Sequence, residues 1–108
     1  MKSLVQPSAR EDILRQYRYL LMEKDSPIAA ERFLAGIKAA IQQIRKRPGI
    51  GAPKVLKNRA LFGLRSWPVE NFAVIRLYYL VSQGQVQIVR VLHGKRDIGS
   101  ILEGESEE

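Results

Sequence analysis

The 108-residue sequence contains no cysteine and only one histidine, His93. The lack of cysteine excludes disulfide bonds and thiol chemistry, and one histidine cannot assemble a common structural zinc site. No run approaches the roughly 18 to 20 apolar residues that a membrane span needs, and the first residues lack the apolar stretch of a signal peptide. We therefore expect a cytoplasmic protein that binds no metal and no cofactor and does not enter a membrane.

The composition is that of a folded chain, because hydrophobic residues make up 45% of it and charged residues 27%. A chain of this length fits one domain around one core. Four of the eleven acidic residues lie in the last six positions. We therefore predict a single domain over residues 1–102 and an acidic, disordered tail over residues 103–108.

Acidic side chains are scarce in the body of the chain. Through Leu102 there are 18 basic and 7 acidic side chains, a net charge of +11. Such a field favours a polyanionic partner, either nucleic acid or an acidic protein segment, because it speeds encounter and releases counterions. The alternative interpretation is that the charge only keeps a small protein soluble.

Residues 4–5 predict a short first strand, and helical spacing of apolar residues predicts an amphipathic helix after it. Ser8 and Glu11 have the spacing of a capping box, in which each side chain accepts from the other residue's amide. The first helix should therefore begin at Ala9 and end near Lys24.

A second amphipathic helix follows at once. Ser26 as N-cap and Pro27 at the first helical position predict its start. Residues 47–49, Arg-Pro-Gly, predict its end, since proline disfavours helix in the residue before it. Two helices joined by so few residues should form an antiparallel hairpin.

The second half of the chain predicts a basic loop and then an antiparallel sheet. The loop is rich in glycine and proline, and its cations Lys54, Lys57 and Arg59 make it a candidate contact surface. Three strand-like runs follow at residues 60–66, 73–81 and 85–93. The fold class is α+β: a short N-terminal strand and an αα-hairpin packed on a three- to four-stranded antiparallel sheet, with a short C-terminal helical turn.

Three local patterns in this order of elements resemble the RelE/ParE superfamily of toxins from bacterial type II toxin–antitoxin systems. They are Arg47-Pro48-Gly49-Ile50-Gly51 after the second helix, Leu64-Arg65-Ser66-Trp67-Pro68-Val69 entering the sheet, and Arg90-Val91-Leu92-His93-Gly94-Lys95-Arg96-Asp97 at its end. The last pattern is the most specific. The resemblance covers most of the chain and implies the RelE/ParE-like fold.

The resemblance implies one of two activities on this fold, since RelE-like members cut messenger RNA on the ribosome and ParE-like members block DNA gyrase. RelE-like nucleases carry two lysines just before the Leu-Arg segment and a tyrosine near the C-terminus. The matching positions here are Leu61, Gly63 and approximately Leu102. The chain is therefore nearer to ParE, and we expect a gyrase inhibitor without catalysis of its own.

Two alternatives stay open. One is a ribosome-dependent endoribonuclease that uses Arg76 and Arg96 to hold a phosphate and His93 as the base. In the competing interpretation His93 only caps the sheet edge or bonds a carbonyl group. The other alternative is an inactive toxin-fold module that acts only in an antitoxin complex and in operator repression.

Seven side chains are candidates for contact with a target or with a phosphate group, and all lie in the predicted sheet or in the turn after it. They are Arg65, Arg76, Tyr78, Arg90, His93, Lys95 and Arg96. Because Tyr78 and Tyr79 alternate along a strand, one should face the core and the other should face outward, where it can stack on a base.

A two-residue turn at residues 83–84 predicts the register of the last hairpin. It pairs Leu77 with Arg90 and places Arg76 and Tyr78 on the outer face. Arg90 then lies on the core face, where a buried cation requires a carboxylate such as that of Glu70 or Asp97.

The resemblance also implies the partners. We expect a cognate acidic antitoxin, ParD-like and with its own DNA-binding domain, whose acidic segment binds the positive body and the apolar faces of the helices. DNA gyrase is the expected target, and contact with DNA is expected only through the antitoxin.

Overall fold

The computed structural model describes residues 1–96 and 98–106, and these form an α+β fold as predicted. The strands are β1 (Lys2–Val5), β2 (Ala52–Pro53), β3 (Arg65–Val69), β4 (Phe72–Ser82) and β5 (Gln85–His93). The α-helices are α1 (Pro7–Met22), α2 (Pro27–Lys46) and α3 (Ile98–Ser106). Two 3-10 turns, Pro48–Ile50 and Arg59–Leu61, lie in the connection between α2 and β3.

The first helix begins two residues earlier than predicted. Pro7 occupies the first helical position, where its missing amide costs nothing, and the N-cap residue Gln6 makes no side-chain cap bond. Ser8 therefore lies inside the first turn. The predicted capping box between Ser8 and Glu11 is wrong, because proline, rather than a serine cap, sets the start of the helix.

The second helix begins as predicted. The Ser26 hydroxyl accepts a hydrogen bond from the amide of Ala29 at 3.2 Å, and Pro27 follows at the first helical position. Only residues 23–26 separate the two helices. The phenol of Tyr17 on α1 donates to the carboxylate of Glu31 on α2 at 3.2 Å, so the helices pack together as the predicted hairpin.

The strands form one sheet in the order β1-β5-β4-β3-β2. β1 runs parallel to β5, and the other neighbours are antiparallel. The sheet has five strands rather than the predicted three or four, because β2 is only two residues long and leaves no pattern in the sequence.

The strand predicted over residues 60–66 is wrong for residues 60–64, and only residues 65–66 belong to a strand. Asn58 accepts from the amide of Ala60 at 3.0 Å and starts a 3-10 turn, and Gly63 then adopts φ +87°. A strand cannot run through either feature, so β3 begins only at Arg65.

The hairpin between β4 and β5 has the predicted two-residue turn, with φ +54° at Gln83 and +72° at Gly84. The register beyond it differs, because a β-bulge lies between Tyr78 and Tyr79. Tyr79 pairs with Ile88 and Tyr78 pairs with Arg90, so Val89 is the extra residue. The predicted pairing of Leu77 with Arg90 is therefore wrong by one position.

Hydrophobic clusters cover both faces of the sheet. The helical hairpin packs on one face around Phe33, Ile44 and Leu77. On the other face α3 packs through Ile98 and Leu102, which contribute to a second cluster. The register predicted without a bulge puts Val91 on the outer face with Arg76 and Tyr78, and Leu92 on the core face. The bulge reverses both, so Val91 packs with the hairpin and Leu92 with α3.

The C-terminal helix is longer than the one or two turns predicted. It continues through residues 103–106, the first part of the segment that we expected to be disordered. Glu107 and Glu108, the end of that expected tail, lie outside the described residues.

Candidate interaction surface

Arg90 forms a buried ion pair with Asp12 of α1. Its Nε and Nη2 atoms donate to the two carboxylate oxygens at 2.7 and 3.1 Å, and the amide of Val91 donates to the same carboxylate at 2.9 Å. Asp12 is 4% exposed and Arg90 9%. This partner is not one that the sequence indicated: Glu70 lies in the exposed turn before β4, and Asp97 lies outside the described residues.

Arg65 holds the turn that follows α2. Its Nη1 atom donates to the carbonyl oxygens of Gly51 at 2.7 Å and Gly49 at 3.3 Å. The phenol of Tyr79 holds the same turn, because it accepts from the Gly51 amide at 2.9 Å and donates to the Pro48 carbonyl at 2.7 Å. Half-buried Arg65 therefore has a structural role at the edge of the sheet.

Burial raises the pKa of the Tyr79 phenol above its usual value, while the Gly51 amide and the Arg65 cation act in the opposite direction. The proton is therefore retained at neutral pH. The phenol can both donate and accept in the turn, which it does with Pro48 and Gly51.

Tyr78 does not face solvent. It is 2% exposed and packs with Leu64, Ile98 and Leu102 beneath α3. Burial raises its pKa, and the Arg76 cation lowers it by a smaller amount. The prediction that one of the two adjacent tyrosines faces outward is wrong, because α3 covers the second face of the sheet. Tyr78 is not available to stack on a base in this structure.

Arg76 lies beside the turn at residues 94–96, which follows β5 and precedes α3. Its Nε atom donates to the Ser66 hydroxyl at 3.1 Å. The backbone of Gly94 approaches its side chain so closely that a β-carbon at Gly94 would lie 3.0 Å from Arg76 Cδ. The amide of Gly94 also donates to the carbonyl of Val74, so the turn is fixed against β4.

His93, Lys95 and Arg96 surround this same turn. The Nδ1 atom of His93 accepts from the Lys95 amide at 3.3 Å, and the His93 carbonyl accepts from the Arg96 amide at 3.1 Å. Lys95 and Arg96 are exposed, and His93 is half-buried. The structure thus brings Arg76, His93, Lys95 and Arg96 together at one end of the sheet, and this group is called the last-turn cluster below.

The basic loop lies elsewhere, against the start of β3. Lys54, Lys57 and Arg59 are all exposed there. The amide of Lys54 donates to the Leu64 carbonyl at 2.8 Å, which ties the loop to the residue before β3. Beside the loop lies a cavity of about 200 Å³ that sequence reasoning missed, lined by residues 53–56 and 61–65.

The described part of the chain contains no group of three or more histidine, cysteine or acidic side chains placed to hold a metal ion. Among the same residues, no helix has the length and apolar character required to cross a bilayer.

The family is decided by a match along almost the whole chain. Residues 4–98 match the model of a family described as "ParE toxin of type II toxin-antitoxin system, parDE". The chain belongs to the ParE toxin family. No curated protein matches the chain.

A solved structure shows the ParE-like fold independently. It is described as "Chromosomal ParDE TA system from P. aeruginosa", and it superposes with a TM-score of 0.56 at 18% sequence identity. The match covers 86% of this chain and 95% of the other. Membership of a ParDE-type system implies a cognate antitoxin as partner of this ParE family member.

The positions that carry nuclease side chains in RelE-like proteins are occupied here by residues with structural roles. Leu102 is 2% exposed within the cluster beneath α3, and Leu61 packs against that cluster. Gly63 adopts φ +87°, a conformation that side chains other than glycine rarely take. In this ParE family member, Leu61 and Leu102 contribute to the cluster that covers the second face of the sheet, and Gly63 supplies the positive-φ position before Leu64.

Proposed function

We propose that the chain is a ParE toxin that inhibits DNA gyrase in the cytoplasm and is neutralised by an acidic, ParD-like antitoxin. The observation that carries this proposal is membership of the ParE toxin family over residues 4–98. The side chains of the sheet support it, since they offer cations for contact but few groups for catalysis.

Cleavage of RNA by attack of a 2′-hydroxyl group requires a base, cations at the phosphate and a proton donor for the leaving oxygen. The lysine and tyrosine positions of RelE-like nucleases hold Leu61, Gly63 and Leu102. Arginine does not replace them as a base, because a guanidinium group stays protonated at neutral pH. A binding role for the remaining cations is the simpler account.

His93 is the one remaining candidate for a base. Its Nδ1 atom already accepts the Lys95 amide, which supports a structural role in the turn. Arg76 is likewise engaged with Ser66. An endoribonuclease built on Arg76, Arg96 and His93 is therefore the less favoured function.

Lys95 and Arg96 are the side chains that we assign to the contact with gyrase. Both are exposed on a turn that the Gly94 amide fixes to β4, so they are presented on a rigid support. Arg90 and Arg65, by contrast, are committed to Asp12 and to the turn after α2.

The antitoxin is proposed to bind through an acidic segment. The body of the toxin carries a net charge of +11 through Leu102, which favours such a partner electrostatically. In this proposal the antitoxin supplies the DNA-binding domain, and the toxin reaches operator DNA only through it.

The deciding experiment is gyrase supercoiling of relaxed plasmid with purified toxin, with and without an excess of the antitoxin. We expect inhibition by the toxin and recovery of activity with the antitoxin. Unchanged supercoiling at saturating toxin would remove the gyrase assignment. Mapping of 5′ ends on ribosome-bound message then separates the two alternatives: new cleavage sites indicate the nuclease, and their absence, together with normal growth on expression, indicates the inactive module.

A further inference from the structure

The cavity beside the basic loop has two very exposed apolar side chains at its rim. Val55 is 93% exposed and Phe62 is 90% exposed, more than any other large hydrophobic side chain in the described part of the chain. Both belong to the two segments that line the cavity, residues 53–56 and 61–65. We refer to this cavity with its rim as the loop groove. Paired exposed apolar groups beside a cavity are typical of an interaction site.

The walls of the loop groove are held by contacts that do not involve its rim. The Lys54 amide donates to the Leu64 carbonyl, Leu64 itself is 1% exposed, and Arg65 is bonded to the Gly51 carbonyl. The Asn58 side chain fixes the 3-10 turn between the two walls. The groove therefore exists before any ligand enters, so little conformational entropy is lost on binding.

Charge around the loop groove is of one sign. Residues 32–69 include nine lysine and arginine residues and no aspartate or glutamate. Among these cations, Lys54 and Arg65 line the groove, and Lys57 and Arg59 lie on the connection between its walls. A ligand that carries carboxylates beside its apolar group would be attracted by all the charged residues of this segment, because all are cations.

The size of the loop groove limits the occupant further. A volume of about 200 Å³ is below the range of roughly 300 to 1,000 Å³ that small-molecule sites occupy. One large apolar side chain of a partner protein fits a cavity of this size.

We infer that the loop groove receives a bulky apolar side chain of the cognate antitoxin, flanked in the antitoxin by aspartate or glutamate. The inference rests on the proposed antitoxin neutralisation and adds a second contact area to the helical faces. Val55 and Phe62 close over the anchor, and the surrounding cations pair with its flanking carboxylates. Binding at this point removes from water the two most exposed large hydrophobic side chains of the described residues.

The test compares toxin variants for affinity to the cognate antitoxin, which is separated from the purified complex by denaturation and refolded. The groove variant is Val55→Ser with Phe62→Ser. The control is Val74→Ser, because Val74 is an exposed valine of β4 that lies outside the groove. Arg65, which lines the groove, pairs with Tyr79 of β4. Val74 is five residues from Tyr79, which corresponds to about 17 Å along the strand. Circular dichroism melting establishes that each variant is folded.

We expect the groove variant to weaken antitoxin binding by about tenfold or more, as truncation of a buried anchor does, and the control to change it less than about twofold. A second variant, Lys54→Gln with Arg59→Gln, should reduce the dependence of affinity on salt. A photo-reactive phenylalanine analogue at position 62 should cross-link to an apolar antitoxin residue with acidic neighbours.

Equal affinities of wild type and groove variant would overturn the inference and leave the proposed neutralisation intact. Loss of growth inhibition by a groove variant that still binds the antitoxin normally would also overturn it, and would assign the groove to the target. If the wild-type toxin and antitoxin form no complex that can be purified, the proposed neutralisation is removed together with the inference.

Discussion

Asp12 and Arg90, which are 78 positions apart in the chain, form a buried ion pair that joins α1 to the edge of β5. The strand β1 covers this edge only as far as the pairing of Val5 with Ile88. Beyond that point the Asp12 carboxylate accepts the Val91 amide, so a side chain on the helix replaces the missing strand. One carboxylate thus satisfies a buried guanidinium and an otherwise open position of the sheet edge.

Replacement of Asp12 by alanine should therefore destabilise the protein strongly. It leaves the buried Arg90 guanidinium without this carboxylate and the Val91 amide without its acceptor, and such losses cost about 3–5 kcal/mol. Urea denaturation gives the free energy of unfolding. The control is Arg15→Ala. The Arg15 guanidinium also contacts Asp12, at 3.4 Å, but its side chain is 67% exposed. We therefore expect its removal to lower the free energy of unfolding by less than about 1 kcal/mol. Similar losses in both variants would contradict a special role for the buried pair.

This ion pair also shows which features of the fold cannot be predicted from local sequence patterns. The order of elements, the Ser26 N-cap and the two-residue turn at Gln83 and Gly84 are local features, and the structure confirms them. The partner of Arg90 is not local, because it depends on how α1 crosses the sheet edge. The bulge at Val89 leaves no mark on the alternation of apolar residues, so the register past Tyr78 was predicted wrongly.

Gly51 should not tolerate a side chain, whereas its neighbour Gly49 should. A β-carbon at Gly51 would lie 2.6 Å from the Tyr79 hydroxyl and 2.8 Å from the Ser66 carbonyl, and one at Gly49 would meet nothing within 4 Å. Gly51→Ala should thus lower the free energy of unfolding by about 1–3 kcal/mol. Gly49→Ala, the matched control in the same turn, should be neutral or slightly stabilising. Thermal and urea unfolding measure both, and equal stabilities would refute the close packing of this turn.

Alkaline pH should destabilise the protein through its buried tyrosines. Burial raises the pKa of Tyr78 and Tyr79 in the folded state above the usual value of 10.0. A raised folded-state pKa contributes stability that is fully present below pH 10 and is lost as the pH rises through the folded-state value. Urea unfolding between pH 8 and 11.5 should show this decline, and it should be shallower in Tyr78→Phe and Tyr79→Phe. Identical pH slopes in both variants and wild type would contradict the effect of burial.

The sequence indicates Arg76, Lys95 and Arg96 as separate candidates, and their role in contacting a target stays a prediction. Their placement depends on the fold, since the Arg76 side chain lies against Gly94 in the turn that carries Lys95 and Arg96. The covering of Tyr78 could not be predicted, because the apolar residues of the short α3 carry no pattern that shows which face of the sheet they pack against. The loop groove was missed for a different reason, since exposed apolar residues in a loop carry no periodic signal.

Substitutions of the exposed cations in the last-turn cluster should change function without changing stability. Lys95 and Arg96 are exposed on a turn whose position is fixed by the backbone of Gly94 and by His93. Replacing both cations with alanine removes charge without disturbing these backbone bonds, so the melting temperature should stay within about 2 °C of wild type. Inhibition of gyrase supercoiling should weaken about tenfold or more, because rigidly presented cations are assigned the target contact. Arg10→Ala with Arg18→Ala removes the same charge from exposed positions of α1 and should change inhibition much less. If both double variants lose inhibition equally, net charge rather than this cluster governs the encounter with gyrase.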